Sequence, residues 1–154
     1  MVNADLLKGL EESAAERVLA LGKRMLLTAG AQLFHLGDDA ESIYLVTRGR
    51  LRLTLPMQVC DREEDVLVEE ACCGQAVGWS ALIPPHRFTL TAAAPLETEL
   101  IALPREALNR HFAEHPETGQ RVAWNLSGII GERLQLFQAM WLREIQRMVE
   151  LRCA

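Results

Sequence analysis

The spacing of apolar residues divides the chain into three regimes. From Ala4 to Leu21 the apolar positions Leu6, Leu7, Leu10, Ala14, Val18 and Leu21 recur every three or four residues, which puts them on one face of an amphipathic helix or of two short helices in succession. The other face carries Glu11, Glu12, Glu16 and Arg17. It is acidic rather than basic, so packing on the body of the same domain is expected in preference to a membrane surface.

After Lys23-Arg24 the period shortens. Met25-Leu26-Leu27, Gln32 to Leu36 and Ser42 to Thr47 are short apolar or β-branched runs, separated by Thr28-Ala29-Gly30 and Gly37-Asp38-Asp39, which read as turns. Arg50 to Leu55 alternates polar and apolar residues as a half-buried strand does, and Arg48-Gly49 before it predicts a hairpin. Pro56 to Asp65 holds turn and charge signals, while Val66 to Glu70, Arg87 to Ala92 and Glu97 to Leu103 supply further strands. Short strands with no helices between them point to a β-sandwich, barrel or jelly roll.

Pro104 opens the third regime. Arg105 to Phe112 follows a proline at a first helical position and ends near His115-Pro116. From Glu117 onward the pattern is helical for about 35 residues, with Val122, Leu126, Ile130, Leu134, Phe137, Trp141, Ile145 and Met148 tracking one face. Such a helix is on the order of 50 Å long, further than a small β-domain covers. Its apolar stripe therefore predicts a homodimer through this helix, the alternative being a chain that folds back after Gly128 or Gly131.

A length of 154 residues suits one domain. The expected layout is N-terminal helices over 1–24, a β-barrel over 25–103 and C-terminal helices over 104–154. Hydrophobic residues at 49% and charged residues at 24% describe an ordinary globular chain. No apolar run approaches the roughly 20 residues that span a bilayer, and the N-terminus lacks the basic start and apolar block of a signal peptide. A cytoplasmic protein without membrane contact is expected. The net charge of -5 argues against a large nucleic-acid surface but leaves room for a small anion pocket. Cys60, Cys72, Cys73 and Cys153 form no CxxC pair and no CxxH spacing, so no metal site is expected.

The stretch with most chemical content is Gly74 to Ala94, GQAVGWSALIPPHRFTLTAAA. Gly74 and Gly78 bracket a short turn, Ser80-Ala81-Leu82 start about one helical turn, and Pro84-Pro85 stop it. A glycine turn that offers free amides, with Arg87 returning a few residues later, has the parts needed to hold a phosphate-sized anion.

Taken together, the order of these pieces resembles a cyclic-nucleotide-binding domain of the catabolite-activator (CRP/FNR) type. The matching residues are Gly30-Ala31-Gln32-Leu33-Phe34, Gly37-Asp38, Ile43 to Gly49, Gly74, Gly78-Trp79-Ser80-Ala81-Leu82, and Arg87 ahead of Thr91-Ala92. The resemblance spans about Leu6 to Leu151. It implies an α+β, mainly β fold: an antiparallel jelly-roll β-barrel, or double-stranded β-helix, with N-terminal helices and a long C-terminal dimerisation helix.

In that family a phosphate-binding cassette uses backbone amides and an arginine for the cyclic phosphate, and an acid after the glycine for the ribose. Carried onto this chain, the glycine is Gly78, the amides are those of Ser80 and Ala81, and the arginine is Arg87. The acid's place is taken by Trp79, which donates a hydrogen bond and accepts none from a hydroxyl. Bulky Phe88 replaces the usual small hydroxyl residue, with Thr89 one further on. A Trp79 turned outward keeps the anion site and forfeits the ribose bond, a loss of about 1.5–3 kcal/mol; turned inward, it fills the pocket. The implied ligand is cyclic AMP, cyclic GMP or another anionic small molecule, with no cofactor. The alternative is a degenerate, ligand-free scaffold that serves as an interaction and dimerisation module.

Transcription factors of this type carry a helix-turn-helix domain after the long helix, whereas this sequence runs to Ala154. Arg143, Arg147 and Arg152 are interleaved with Glu144 and Glu150, as on a solvated helical face. Direct nucleic-acid binding is not expected, and output is expected through the dimer or a separate effector protein. Jelly rolls also house metal enzymes, which need converging histidines and a carboxylate. His35 and His86 stand alone, and His111 and His115 lack the glutamate of HExxH, so no enzyme is expected.

Overall fold

The structure, a computed structural model, describes residues 4–153. Its eight strands are β1 Lys23–Leu27, β2 Gln32–Phe34, β3 Ser42–Arg48, β4 Arg50–Val59, β5 Arg62–Cys72, β6 Ala76–Val77, β7 Thr91–Ala93 and β8 Thr98–Pro104. They pair antiparallel in two four-stranded sheets, ordered β1-β8-β3-β6 and β2-β7-β4-β5. The antiparallel strands expected from the sequence are present, and no ladder joins the two sheets into a closed barrel among the described residues. Two of their edges, β6 and β2, are only two and three residues long, which limits the unpaired backbone they expose.

The alternation that predicted the strands builds the core. Ile43, Leu45 and Val46 of β3, Leu51 and Leu53 of β4, and Leu100 and Leu103 of β8 are all buried in one cluster shared by the two sheets. Between β3 and β4 the chain crosses from one sheet to the other, so the hairpin expected at Arg48-Gly49 does not form; Gly49 has φ +82°, and a Cβ there would lie 2.7 Å from the Glu97 carbonyl oxygen. Only glycine satisfies both conditions.

The β4–β5 hairpin is longer than the sequence suggests. Pairing runs from Arg50↔Cys72 out to Val59↔Arg62, so the stretch expected as a turn over Pro56 to Asp65 is mostly ladder. The reversal is confined to Cys60-Asp61, both with positive φ, the conformation two-residue hairpin turns favour. Beyond Thr54, β4 has β5 as its one neighbour, and Pro56 is tolerated there because one side of the strand has no ladder to complete. The expected strand over Arg87 to Ala92 is also corrected: regular pairing begins only at Thr91.

At the N-terminus the apolar stripe splits into a 3-10 turn, Asp5–Leu7, and helix α1, Glu12–Ala20, with Gly9 at φ +77° between them. Pro104 ends β8 in extended conformation, so helix α2 begins one residue later than expected, at Arg105–Glu114. Helix α3, Pro116–Cys153, is continuous for 38 residues, about 57 Å. The fold-back at Gly128 or Gly131 does not occur. The first half of α3 is anchored by buried Val122 and Leu126 and by Asn125, whose Nδ2 donates to the Leu6 and Lys8 carbonyls at 2.9 and 2.8 Å. Beyond Arg133 its large apolar side chains are exposed, apart from half-buried Ile145. No helix among the described residues is long and apolar enough to cross a membrane.

Helix α2 buries Leu108 and His111. The His111 Nε2 has no hydrogen-bond partner among the described residues, and its ring lies 4.5 Å from that of His115. Burial, then the charges of His115 and Arg17, push His111 below the usual histidine value of 6.5, with Glu114 opposing. A depressed folded-state value means that the unfolded chain binds this proton more readily. The stability from neutral His111 is therefore present above pH 6.5 and lost as pH falls through the folded value. In denaturant titrations the unfolding free energy should decline as pH drops below 6.5. His111→Met should remove that part of the slope.

Candidate functional site

Strand β6 delivers the chain to Gly78, at φ +80°, and a 3-10 turn over Trp79–Ala81 follows. A Cβ on Gly78 would approach Phe88 Cε1 to 3.0 Å and the Ser42 carbonyl oxygen to 3.3 Å. Position 78 thus requires glycine both for its backbone angle and for the close approach of a ring. The turn consumes some of its own donors: the Ala81 amide donates to the Gly78 carbonyl and the Leu82 amide to the Trp79 carbonyl, both at 3.0 Å. Of the two amides expected to meet a ligand, Ala81's is therefore already engaged. Ser80 and Ala81 are buried, and Trp79 is half-buried against the core.

The return segment explains the shortened strand. The Phe88 amide donates to the Asp38 carbonyl at 3.0 Å, and the Phe88 carbonyl accepts from the Gly37 amide at 2.8 Å. The Ala40 amide donates to the His86 carbonyl, and Arg87 forms an isolated bridge with Asp39. Residues 86–88 are stapled to the Gly37–Ala40 turn instead of joining a sheet. Arg87 is exposed, and its Nη1 donates to the Gly37 carbonyl at 3.0 Å.

Phe88 points inward. It is 4% exposed, and its ring stacks on that of Phe34 at 3.6 Å between centroids and 8° between planes. What remains beside the cassette is a cavity of about 20 Å³ lined by Phe34, Leu53, Gly78, Trp79, Ser80, Phe88, Thr89, Leu90 and Arg133, room for about one water molecule. Gly78, Trp79, Ser80, Phe88 and Thr89, all named from the sequence, meet at this cavity. Arg87 and Ala81 are not among its lining residues.

Arg133 of α3 does line the cavity, and sequence reasoning missed it. The available signal was a charge on the buried face of α3, one helical repeat after Leu126, Ile129 and Ile130. Its Nε lies 2.9 Å from Glu69 Oε2, in a pair whose side chains are 13% and 19% exposed. Its Nη2 donates to the Ala76 carbonyl at 3.2 Å. The Nε contact is an ion pair without an aligned hydrogen bond, because that N–H is buried and not directed at an acceptor. On the far side of Arg133, the Asp5 carboxylate accepts from the Ala76 amide at 3.0 Å and from the Leu6 amide at 2.6 Å. Burial pushes the Asp5 carboxyl above its usual value, with the Ala76 and Leu6 amides and Arg133 opposing. Among the described residues no cluster of three His, Cys, Asp or Glu side chains can hold a metal ion.

This cassette, set between two antiparallel sheets and a long C-terminal helix, is the arrangement of a cyclic-nucleotide-binding domain. The sequence model of the cyclic nucleotide-binding domain family matches residues 24–115, and the chain belongs to that family. It is 33% identical over 136 residues to the lysophospholipase nte1 of Neurospora crassa, a match covering 80% of this chain and 8% of that protein. The Thermus thermophilus catabolite activator protein superposes with a TM-score of 0.75 at 26% identity, over 93% of this chain and 63% of that one. The c-di-GMP-responsive global regulator CLP of Xanthomonas campestris shares the fold, with a TM-score of 0.76 at 19% identity over 86% of this chain and 64% of that one. The chain thus spans about 8% of the length of the N. crassa relative it matches. Family membership makes this a domain of the regulatory, cyclic-nucleotide-binding type.

Phe88 is the residue that closes the site, so its removal should be costly and informative. Phe88→Ala deletes a buried ring and should lower the unfolding free energy by about 3–5 kcal/mol in urea titration. A loss below about 1 kcal/mol would mean that the ring does not occupy the core.

Proposed function

We propose that the chain is a small-molecule-sensing regulatory module with an atypical cassette, signalling through α3 to a second copy of itself or to a separate effector protein. The observation that carries this reading is the shared cavity: Arg133 of α3 and the Gly78–Ser80 turn line the same space. A ligand entering there touches the sensor turn and the output helix together, so its binding energy can bias the position of α3. Cyclic AMP and cyclic GMP are the first ligands to test, followed by other anionic small molecules. The site residues of this reading are Gly78, Trp79, Ser80, Phe88 and Thr89 around the cavity, with Ala81 and Arg87 beside it and outside its lining.

The cavity is too small for a nucleotide while Phe88 rests on Phe34, so binding requires the ring to leave. The apparent affinity is then the intrinsic affinity reduced by the fraction of molecules with the ring displaced. Saturating millimolar cyclic AMP or cyclic GMP should raise the melting temperature by mass action. A melting curve unmoved by both nucleotides would overturn the sensing reading. It would leave the second reading, a ligand-free scaffold that presents α3, which the tight Phe88–Phe34 stack favours.

The dimer limb rests on the outer half of α3. Leu134, Phe137, Trp141 and Met148 are 57%, 41%, 67% and 54% exposed, and they recur at three-, four- and seven-residue spacing along one side of the helix. A stripe of this kind is covered by a second helix in coiled-coil pairs. Light scattering should report a dimer for the full chain and a monomer for the Phe137→Glu, Trp141→Glu double variant. A dimer that survives both changes would move the interface elsewhere. These sites lie beyond the buried anchor at Val122 and Leu126, so the domain itself should stay folded.

A further inference from the structure

Strand β5 ends the sheet ordered β2-β7-β4-β5, so among the described residues β4 is its one ladder partner. Pairing with β4 runs without interruption from Val59↔Arg62 to Thr54↔Leu67, and Val68 is skipped before Glu69 pairs with Leu53. That bulge ends the flat part of the edge. We propose that residues 62–67 form a docking edge for an extended basic segment of another protein, which adds to β5 as a further strand of the sheet. The edge lies apart from the cassette cavity, and its use requires no ligand there.

The two-residue turn at Cys60-Asp61 sets which backbone groups face outward. Residues flanking such a turn exchange hydrogen bonds with each other, and bonded and unbonded pairs then alternate along the antiparallel ladder. By that count Arg62, Glu64 and Val66 direct their amides and carbonyls at β4, while Glu63, Asp65 and Leu67 present theirs on the open side. The same count turns the backbone nitrogen of Pro56, the partner of Asp65, away from β5. On that side β4 has no neighbour beyond Thr54, but a proline nitrogen has no hydrogen to donate. Of the two open edges of this ribbon, the one on β5 therefore offers the unbroken row of donors and acceptors.

A ribbon of two strands is marginal until a third strand or a packed face joins it, and Met57 and Leu67 on this one are 46% and 40% exposed. Charge selects the occupant. At the inner end of β5, Glu69 and Glu70 are paired with Arg133, Arg50 and Arg52. Glu63, Glu64 and Asp65 are exposed and have no ion-pair partner among the described residues. A second copy of β5 is disfavoured, because an antiparallel pair centred on this run sets carboxylates opposite carboxylates. A basic strand meets the run with opposite charge. An antiparallel partner also places each residue directly opposite one of β5 and on the same face. From its N-terminal end it has apolar residues opposite Leu67 and Val66, then basic residues opposite Asp65, Glu64 and Glu63. Its first, third and fifth residues bond through the backbone to Leu67, Asp65 and Glu63. In strand addition of this kind main-chain bonds supply affinity and the order of side chains supplies specificity.

The test uses the full chain and a labelled synthetic peptide of two valines followed by three lysines with short neutral flanks, read by fluorescence anisotropy at fixed ionic strength. The peptide should bind saturably. N-methylation of its third and fifth residues, whose amides face β5, should weaken binding roughly tenfold or more, while N-methylation of the second and fourth should leave it unchanged. The Glu63→Lys, Asp65→Lys double variant should lose roughly tenfold or more. Glu12→Lys with Glu16→Lys, the same change of net charge on exposed positions of α1, should bind as the wild type does. Leu67→Pro removes an outward donor and no bond to β4, and it should abolish binding with every carboxylate still in place.

If the peptide methylated at its third and fifth residues binds as tightly as the unmethylated one, the contact is charge attraction alone and strand addition is overturned. Equal binding by Leu67→Pro overturns it in the same way, as does the absence of saturable binding at millimolar peptide. If light scattering shows that Leu67→Pro halves the mass of the wild type, the edge is occupied by a second copy and the proposal fails. Should Leu67→Pro not fold, the two methylated peptides decide alone.

Discussion

The contact of Phe88 with Phe34 governs what this fold can do. Two aromatic rings stacked at 3.6 Å fill the space beside the cassette turn. The glycine at position 78 is required in part because the Phe88 ring leaves no room for a side chain. Burial of a phenylalanine contributes about 1.5–3 kcal/mol relative to leaving it exposed. The segment that carries Phe88 is stapled by backbone bonds to the Gly37–Ala40 turn. Those bonds set the ring inward and Arg87 outward in one stroke, because adjacent residues on an extended segment face opposite ways. The closed cavity and the exposed arginine are therefore one structural fact.

A second organising feature is the division of α3. Its first half is part of the core, with Val122 and Leu126 buried and Asn125 capping the carbonyls of the N-terminal 3-10 turn. Its second half leaves the body of the domain with a greasy surface uncovered. Arg133 marks the boundary. Isolated ion pairs in partly buried settings give little net stability, because desolvation offsets most of the attraction. The pair of Arg133 with Glu69 is better understood as a device of position, holding a helix against a hairpin and a charge against a cavity.

The N-terminal 3-10 turn adds a third contact to the same neighbourhood. Asp5 accepts from the Ala76 amide, one residue before the end of β6, and Arg133 donates to the Ala76 carbonyl. Both polar groups of one cassette-flanking residue are thus satisfied by side chains from opposite ends of the chain. A short strand of two residues cannot hold its own place by ladder bonds alone, and these side chains supply the remainder.

Much of the architecture was legible in the residues. Alternation over Arg50 to Leu55, punctuation by Gly37, and the three- and four-residue spacing beyond Glu117 are local signals, and each produced the expected element, whereas the strands on either side of Gly49 went to different sheets and not to the expected hairpin. The ligand-facing residues were only partly legible. Gly78, Trp79, Ser80, Phe88 and Thr89 do meet at one cavity, since they lie on a single turn and the segment that returns to it. The sequence by itself determined which residues pair, turn and bury, because those choices depend on near neighbours and on period. Only the tertiary structure decided that Arg87 faces water, that Phe88 fills the interior, and that Arg133, 55 residues beyond Gly78 in the numbering, lines the cavity. Contacts across such separations leave no periodic trace along the chain, and the direction of a side chain is set by the bonds that hold its backbone in three dimensions.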